Sequence, residues 1–375
     1  MRHVDGSDGG GGVLRTALGL SLATGDPVRI ENVRGSRPTP GLKPQHLACV
    51  EAARLVGDAT VDGAKQGSET VTFDPGDATH AETPAETLTE SERDDADPRP
   101  YEHAVDVGTA GSATLVASTV LPAALTTDRT VRLRIGGGTD VAWSPPADYF
   151  GGVTLGCLRA HGLAAALDVP ERGFYPAGGG AVRLTLGPST LTPLTLGREA
   201  TLERVRVSAI ATTDLLDADV ADRLVRETGS TLKETGDVTV ASRAARYADA
   251  PSTGAVVVIR AEGRVDTADR QPNRPEQPVP LAGFSVLGER GTPSEDVAKV
   301  AVDDFRAWRH GFGAVDRHLA DQLVPYVALA GGAVRIPEVT AHVKSAVSVS
   351  EAFDLDVRID EGAAPGSGAV LRREK

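Results

Sequence analysis

Short runs of strand composition alternate along this chain with segments whose apolar residues recur three and four positions apart, which restricts it to a mixed α/β fold. The strand-like runs are 27–33, 113–121, 130–135, 181–185, 204–211, 238–241 and 255–260, and helical spacing marks 13–25, 44–56, 215–228 and 294–310. In the first helix Leu14, Ala17, Leu18, Ser21 and Leu22 share a side, and Gly25 stands where a left-handed C-terminal cap belongs. The last opens with Thr292-Pro293-Ser294-Glu295, the spacing of a capping box with proline at the first helical position. Val297, Ala301, Phe305 and Trp308 then form one core-facing stripe. At 375 residues there is room for two domains, or for one domain carrying an insertion.

Several classes drop out. No apolar run approaches the roughly 18 residues a membrane span needs, and Met1-Arg2-His3-Val4-Asp5-Gly6 passes into glycines without an apolar signal region, so a cytoplasmic, membrane-free protein is expected. The only cysteines, Cys49 and Cys157, are far apart with apolar neighbours, which excludes a disulfide framework or a cysteine zinc site and predicts buried thiols. A net charge of −13 leaves no global basic field, so any nucleic-acid contact must be a local pocket. Only six of the 39 basic residues are lysine, and this Arg-over-Lys, acidic balance predicts a high-salt cytoplasm. The Asp/Glu/Thr/Pro-rich stretch from Asp74 to Pro100 reads as an exposed acidic loop, and 269–278 as a second loop.

Glycine clusters carry the chemical signal. Gly9-Gly10-Gly11-Gly12 precedes the first helix, where backbone can approach an anion and unpaired N–H groups face it, although such runs also occur in plain loops. Arg37, Lys43, Gln45 and His46 gather at a loop-to-helix junction, which suits a phosphate or equally a solvated loop edge. The clusters Gly136–Gly138, Gly178–Gly180 and Gly331-Gly332 lack the Lys-Ser/Thr pair of a Walker loop, and neither HExxH nor Gly-x-Ser-x-Gly occurs.

Taken in order, Asp5-Gly6-Ser7 with Leu14-Arg15-Thr16-Ala17-Leu18, Arg37-Pro38-Thr39-Pro40-Gly41-Leu42-Lys43-Pro44-Gln45-His46-Leu47, Gly111-Ser112-Ala113-Thr114, Gly136–Asp140 with Pro145-Pro146-Ala147-Asp148, and Gly173-Phe174-Tyr175-Pro176-Ala177-Gly178-Gly179-Gly180 resemble the RNA 3′-terminal phosphate cyclases. Gly288-Glu289-Arg290-Gly291, His318-Leu319-Ala320-Asp321-Gln322-Leu323 and Thr340-Ala341-His342 extend the resemblance over nearly the whole chain.

The resemblance implies an ATP-dependent enzyme that takes an RNA with a 3′-terminal phosphate to a 2′,3′-cyclic phosphate. A histidine-AMP and then an RNA-adenylate are its intermediates, and a divalent ion, Mg or Mn, assists. His342 matches the nucleophile. Arg15, Arg37, Gln45 and His46 match phosphate-holding positions, His318, Asp321 and Gln322 the nucleotide side, Phe284 an aromatic stacked on adenine, and Asp8 an acidic metal position. The implied architecture is a large domain of repeated units, each a four-stranded sheet with two helices, over 1–188 and 312–375. A smaller α/β domain is inserted over 189–311, with 77–99 as an acidic surface loop. The sequence departs from the family in a shortened N-terminal glycine motif and in Ser345-Ala346 where Thr-Asn is usual. Two other classes share the fold: a non-catalytic ribosome-assembly binding protein without the histidine, which His342 disfavours, and enolpyruvyl transferases, which lack the His-Leu-Ala-Asp-Gln-Leu and Thr-Ala-His motifs. Because end recognition needs few phosphate contacts, weak salt dependence of RNA affinity is expected.

Overall fold

The computed structural model describes residues 1–76, 101–197, 200–236, 238–264, 278–362 and 368–374; the acidic stretch 77–99 and nearly all of 269–278 lie outside these residues. The first unit comprises β1 (Arg2–Asp5), α1 (Gly11–Thr24), β2 (Val28–Glu31), α2 (Pro44–Val56), β3 (Thr60–Asp62) and β4 (Val71–Asp74). β1 and β2 are parallel, which demands a crossover, and α1 supplies it; β4 then pairs antiparallel with both β2 and β3, giving the order β1-β2-β4-β3.

The second unit repeats the plan with β5 (Tyr101–Asp106), α3 (Ala113–Val120), β6 (Val131–Gly137), α4 (Ala147–Tyr149), a π-helical turn leading into α5 (Leu155–Ala160), β7 (Ala165–Glu171) and β8 (Gly180–Leu186), ordered β5-β6-β8-β7. After β9 (Leu194–Leu196) the chain forms a different sheet from β10 (Thr201–Thr212), α6 (Val220–Glu234), β11 (Val240–Ala248), β12 (Ala255–Arg264), β13 (Val279–Leu287) and α7 (Ser294–His310), ordered β11-β10-β12-β13. It then continues through α8 (Arg317–Ala330), β14 (Gly332–Ile336), α9 (Ala341–Ala352), β15 (Arg358–Glu361) and β16 (Ala369–Arg373), and β9 joins these as β9-β14-β16-β15. The third copy of the plan is thus opened between β9 and α8. Although β9 follows residue 188, it hydrogen-bonds to β14.

Alternation along the β12 strand feeds two cores. Val256 and Val258 enter the large core shared with α1, α3 and α8, while Val257 and Ile259 pack under α6 and α7 with Leu224 and Phe305. Buried Asp316 ties the layers together. Its carboxylate caps α8 through the His318 and Leu319 N–H groups, and it also accepts from the Tyr149 hydroxyl at 2.9 Å and the Gly283 N–H at 2.8 Å. That node fixes the start of α8, where His318-Leu319-Ala320-Asp321-Gln322-Leu323 begins.

The mixed α/β class is as expected, and both cysteines are buried and free. Several elements differ. Residues 113–121, read as a strand, form helix α3 over 113–120, because Ser112 Oγ caps the Leu115 N–H and the helix packs against α1 and α2; the Ser118 and Thr119 hydroxyls are satisfied by the Leu115 carbonyl. The helix expected from 215 begins at Val220, after Asp219 at φ 51°. In α7 no capping box forms: Pro293 itself is the cap residue, and Glu295 instead pairs with Arg223 at 2.7 Å.

Candidate active site

Helix α1 starts from the glycine run, with Gly10 as its cap residue and no acidic side chain in its first turn, so its N–H groups remain available to an anion. What faces these glycines defines the site. A Cβ at Gly10 would lie 3.2 Å from an Arg37 nitrogen, and one at Gly11 would lie 2.3 Å from His46 Nε2 and 3.1 Å from an Arg15 nitrogen. A Cβ at Gly12 would meet His342 Nδ1 at 3.6 Å and Arg15 at 3.9 Å. Four side chains from separate elements therefore converge on three consecutive glycines, and a side chain at Gly11 would occupy the space in front of His46.

Burial first, then the cations Arg15, Arg34 and Lys43, push His46 down to about 4, so its ring is neutral at pH 7. Its Nδ1 accepts the Lys43 N–H at 3.1 Å, which leaves the proton on Nε2, aimed at Gly11 as a donor. Burial also lowers the Arg15 guanidinium, and burial followed by Arg37 lowers Arg34. Among the described residues no carboxylate pairs with Arg15, Arg37 or Lys43. Cations without a carboxylate partner among the described residues, one neutral donor and a helix N-terminus together could receive an anion, in a chain of net charge −13.

His342 is exposed in the first turn of α9, whose cap Thr340 accepts the Val343 N–H at 3.0 Å. The Thr340 hydroxyl also donates to Asp321 on α8. Burial raises the Asp321 carboxyl, against the Thr340 hydrogen bond and the nearby His342, His318 and Arg317, so α8 and α9 present these groups together.

The family model described as RNA 3′-terminal phosphate cyclase matches residues 7–360. The chain belongs to that family. Among curated relatives, the RNA 3′-terminal phosphate cyclase of Halobacterium salinarum is 40% identical over 97% of this chain and 98% of its own length. Those of Archaeoglobus fulgidus, 37% identical over 94% and 95%, and Pyrococcus furiosus, 35% over 94% and 93%, are also similar from end to end.

Within the cyclase family pattern, the expected site residues fall into three groups. Arg15, Arg37, His46 and His342 meet at the glycine run, with His318 and Asp321 beside His342. Gln45 and Gln322 are part-exposed and bond to neighbouring residues: Gln45 Oε1 accepts the Ser112 N–H at 3.1 Å, while Gln322 accepts from Thr154 at 2.9 Å and donates to the His318 carbonyl at 3.0 Å. Gln45 nonetheless borders the cleft, whereas Gln322 holds the α8 turn in place.

Phe284 is a correction. It is 7% exposed, and its ring packs on Phe305 at 5.7 Å and Trp308 at 5.8 Å under α7. On β13, Gly283 faces Tyr149 of the large core, so its neighbour Phe284 points to the opposite face, into the other core. A base cannot stack there. Asp8 is exposed, and no group of three or more His, Cys, Asp or Glu among the described residues could hold a metal. A lone carboxylate beside the glycine run makes no protein cage, and it could hold a magnesium ion only together with water and ligand oxygens.

Sequence reading missed Arg34, which donates to the Thr39 and Gly41 carbonyls at 2.8 and 2.9 Å and braces the Arg37 loop. The same loop supplied Arg37, so the basic character of 34–43 was the available signal. A cleft of about 1050 Å³ runs from Gly11, Arg34, Arg37 and His46 past Trp143 and Tyr175 to Gly254 and Glu289.

Proposed function

We propose that this chain converts an RNA 3′-terminal phosphate to a 2′,3′-cyclic phosphate, using ATP and a covalent adenylate on His342. A terminal phosphate monoester has no good leaving group, and the reaction supplies one. A ring nitrogen of His342 attacks the α-phosphorus of ATP, forming a P–N bond as the bond to pyrophosphate breaks. An oxygen of the RNA 3′-phosphate then attacks that phosphorus, breaking the P–N bond and giving an RNA-adenylate anhydride. The vicinal 2′-hydroxyl attacks the RNA phosphorus, losing its proton, and AMP departs.

Each residue has a task in that sequence. Arg15 and Arg37 neutralise phosphate oxygens, and the Nε2 proton of neutral His46 donates to one more. The glycines let those oxygens reach the N–H groups of α1. Asp321, anchored by Thr340, fixes the turn that carries His342 and takes part with His318 in holding the nucleotide. Asp8 is the residue that would hold a divalent ion, and such an ion would supply further charge neutralisation to the phosphates.

The observation that carries this reading is the convergence of Arg37, His46, Arg15 and His342 on Gly10, Gly11 and Gly12. The direct test is incubation with ATP, magnesium and an RNA bearing a labelled 3′-phosphate. Conversion of the label to a phosphatase-resistant cyclic end, with one AMP released per end, is expected. An unchanged monoester, with AMP and diphosphate absent, would overturn it.

A further inference from the structure

Two aromatic side chains stand in solvent at the same cleft: Trp143 is 100% exposed and Tyr175 is 73% exposed. Most of the other aromatic rings among the described residues are placed in the protein interior, and half-exposed Phe312 lies under the Arg335 guanidinium at 5.2 Å. Trp143 also sits at φ 61°, a region bulky residues rarely occupy and one that persists where surrounding structure enforces it.

The loops carrying these rings are locked to each other at their bases. Thr139 N–H donates to the Gly173 carbonyl at 2.9 Å, and Gly173 N–H returns a bond to Thr139 Oγ1 at 3.0 Å. Beneath them the buried Arg172 guanidinium joins Asp140 at 3.1 Å and Asp148 at 2.6 Å. Ala177 N–H further ties the second loop to Ser252 at 3.0 Å, and Ser144 closes the first onto the Val141 carbonyl at 3.0 Å. Trp143 and Tyr175 are therefore held out on a rigid base, in the same cleft as Arg37 and His46.

We infer that Trp143 and Tyr175 form a stacking platform for the last bases of a single-stranded RNA whose terminal phosphate occupies the glycine site. This rests on the proposed function and adds the mode of polymer recognition. The cleft is as large as the biggest ordinary small-molecule pockets, of about 1,000 Å³, so it has space beyond that of a phosphate. Its cations lie at the phosphate end, while Asp140 is already paired and Glu289 stands exposed at the far side, so affinity for the upstream nucleotides has to come from something other than charge. Stacking supplies it without reading sequence, since every base has a π-face, and salt does not screen it as it screens phosphate contacts.

The test uses the full chain and a short RNA oligonucleotide with a 3′-phosphate, comparing wild type with Trp143→Ala, Tyr175→Ala and Trp143→Phe. Both alanine variants should bind the RNA about 5- to 150-fold more weakly, as base–aromatic contacts elsewhere do. Trp143→Phe should retain most of the affinity, and an oligonucleotide abasic at its last two positions should bind wild type as weakly as the variants bind normal RNA. Labelling by α-labelled ATP without RNA should be unchanged in all of them, because the rings serve the polymer and not the nucleotide. Equal RNA affinity in wild type and alanine variants overturns the platform alone, and loss of labelling overturns it by assigning the rings to ATP. A wild type that binds no RNA overturns both the platform and the proposed function.

Discussion

Replacing Gly11 by alanine separates the stability of the fold from its capacity to hold phosphate. The new Cβ would stand 2.3 Å from His46 Nε2, 2.8 Å from His46 Cδ2 and 3.1 Å from Arg15, so the imidazole has to swing away. Alanine gains up to about 1 kcal/mol over glycine in a helix. Displacing His46 forfeits its bond from the Lys43 N–H, about 0.5–1.5 kcal/mol. These offset, and a residual of about 1 kcal/mol moves the melting midpoint of a 375-residue chain by only about 1–2 °C. Phosphate binding has no such offset. Losing one hydrogen bond to a charged group costs about 1.5–3 kcal/mol, which is about 10- to 150-fold in affinity for the triphosphate. Thermal melting and labelling by α-labelled ATP at limiting concentration, measured on one preparation, give both numbers. A Gly11→Ala protein that labels at the wild-type rate would refute the placement of phosphate against His46.

Other perturbations probe the supports of the site. His46 falls to about 4 in the folded chain from an ordinary 6.5, so the unfolded chain takes up the proton first. Stability present above about pH 6.5 is therefore lost as pH drops toward 4, and melting of wild type should fall more steeply across that window than melting of His46→Gln; parallel curves would contradict it. Thr340→Ala removes the cap of α9 and the partner of Asp321, and should cost about 0.5–2 kcal/mol in urea denaturation while reducing labelling, because the turn carrying His342 loosens. Arg172→Met strands buried Asp140 and should destabilise by about 3 kcal/mol; a loss below about 1 kcal/mol would show the cluster to be dispensable.

What the residues alone disclosed follows from how local each signal is. Helices α1 and α2 and the stripe of α7 came through because one side of each repeats at helical spacing, and Gly25 does adopt the left-handed conformation, φ 74°, that its position called for. Helix α3 was hidden because its threonines and valines favour strands in isolation, and only the Ser112 cap and packing against α1 and α2 outweigh that preference. Strands of three to five residues such as β3, β9 and β14 carry too little pattern to register, so the three-fold repetition of one plan was visible only through family likeness. For the site, His342, Arg15, Arg37 and His46 sat in short motifs, whereas the side to which Phe284 points depends on the register of β13 between two cores. The support from Asp316, which reaches Tyr149 and Gly283 across long sequence separations, had no local signature.

The measurement that bears most directly on His342 as the adenylate carrier is parallel incubation of wild type and His342→Ala with ATP labelled at the α or the γ phosphate, followed by denaturing separation. His342 is exposed, so its replacement should leave the melting midpoint nearly unchanged. Label retained on wild type from the α position only, and none on a folded His342→Ala, is the predicted result. Equal α-label on both proteins, or no retained label on wild type, would contradict it.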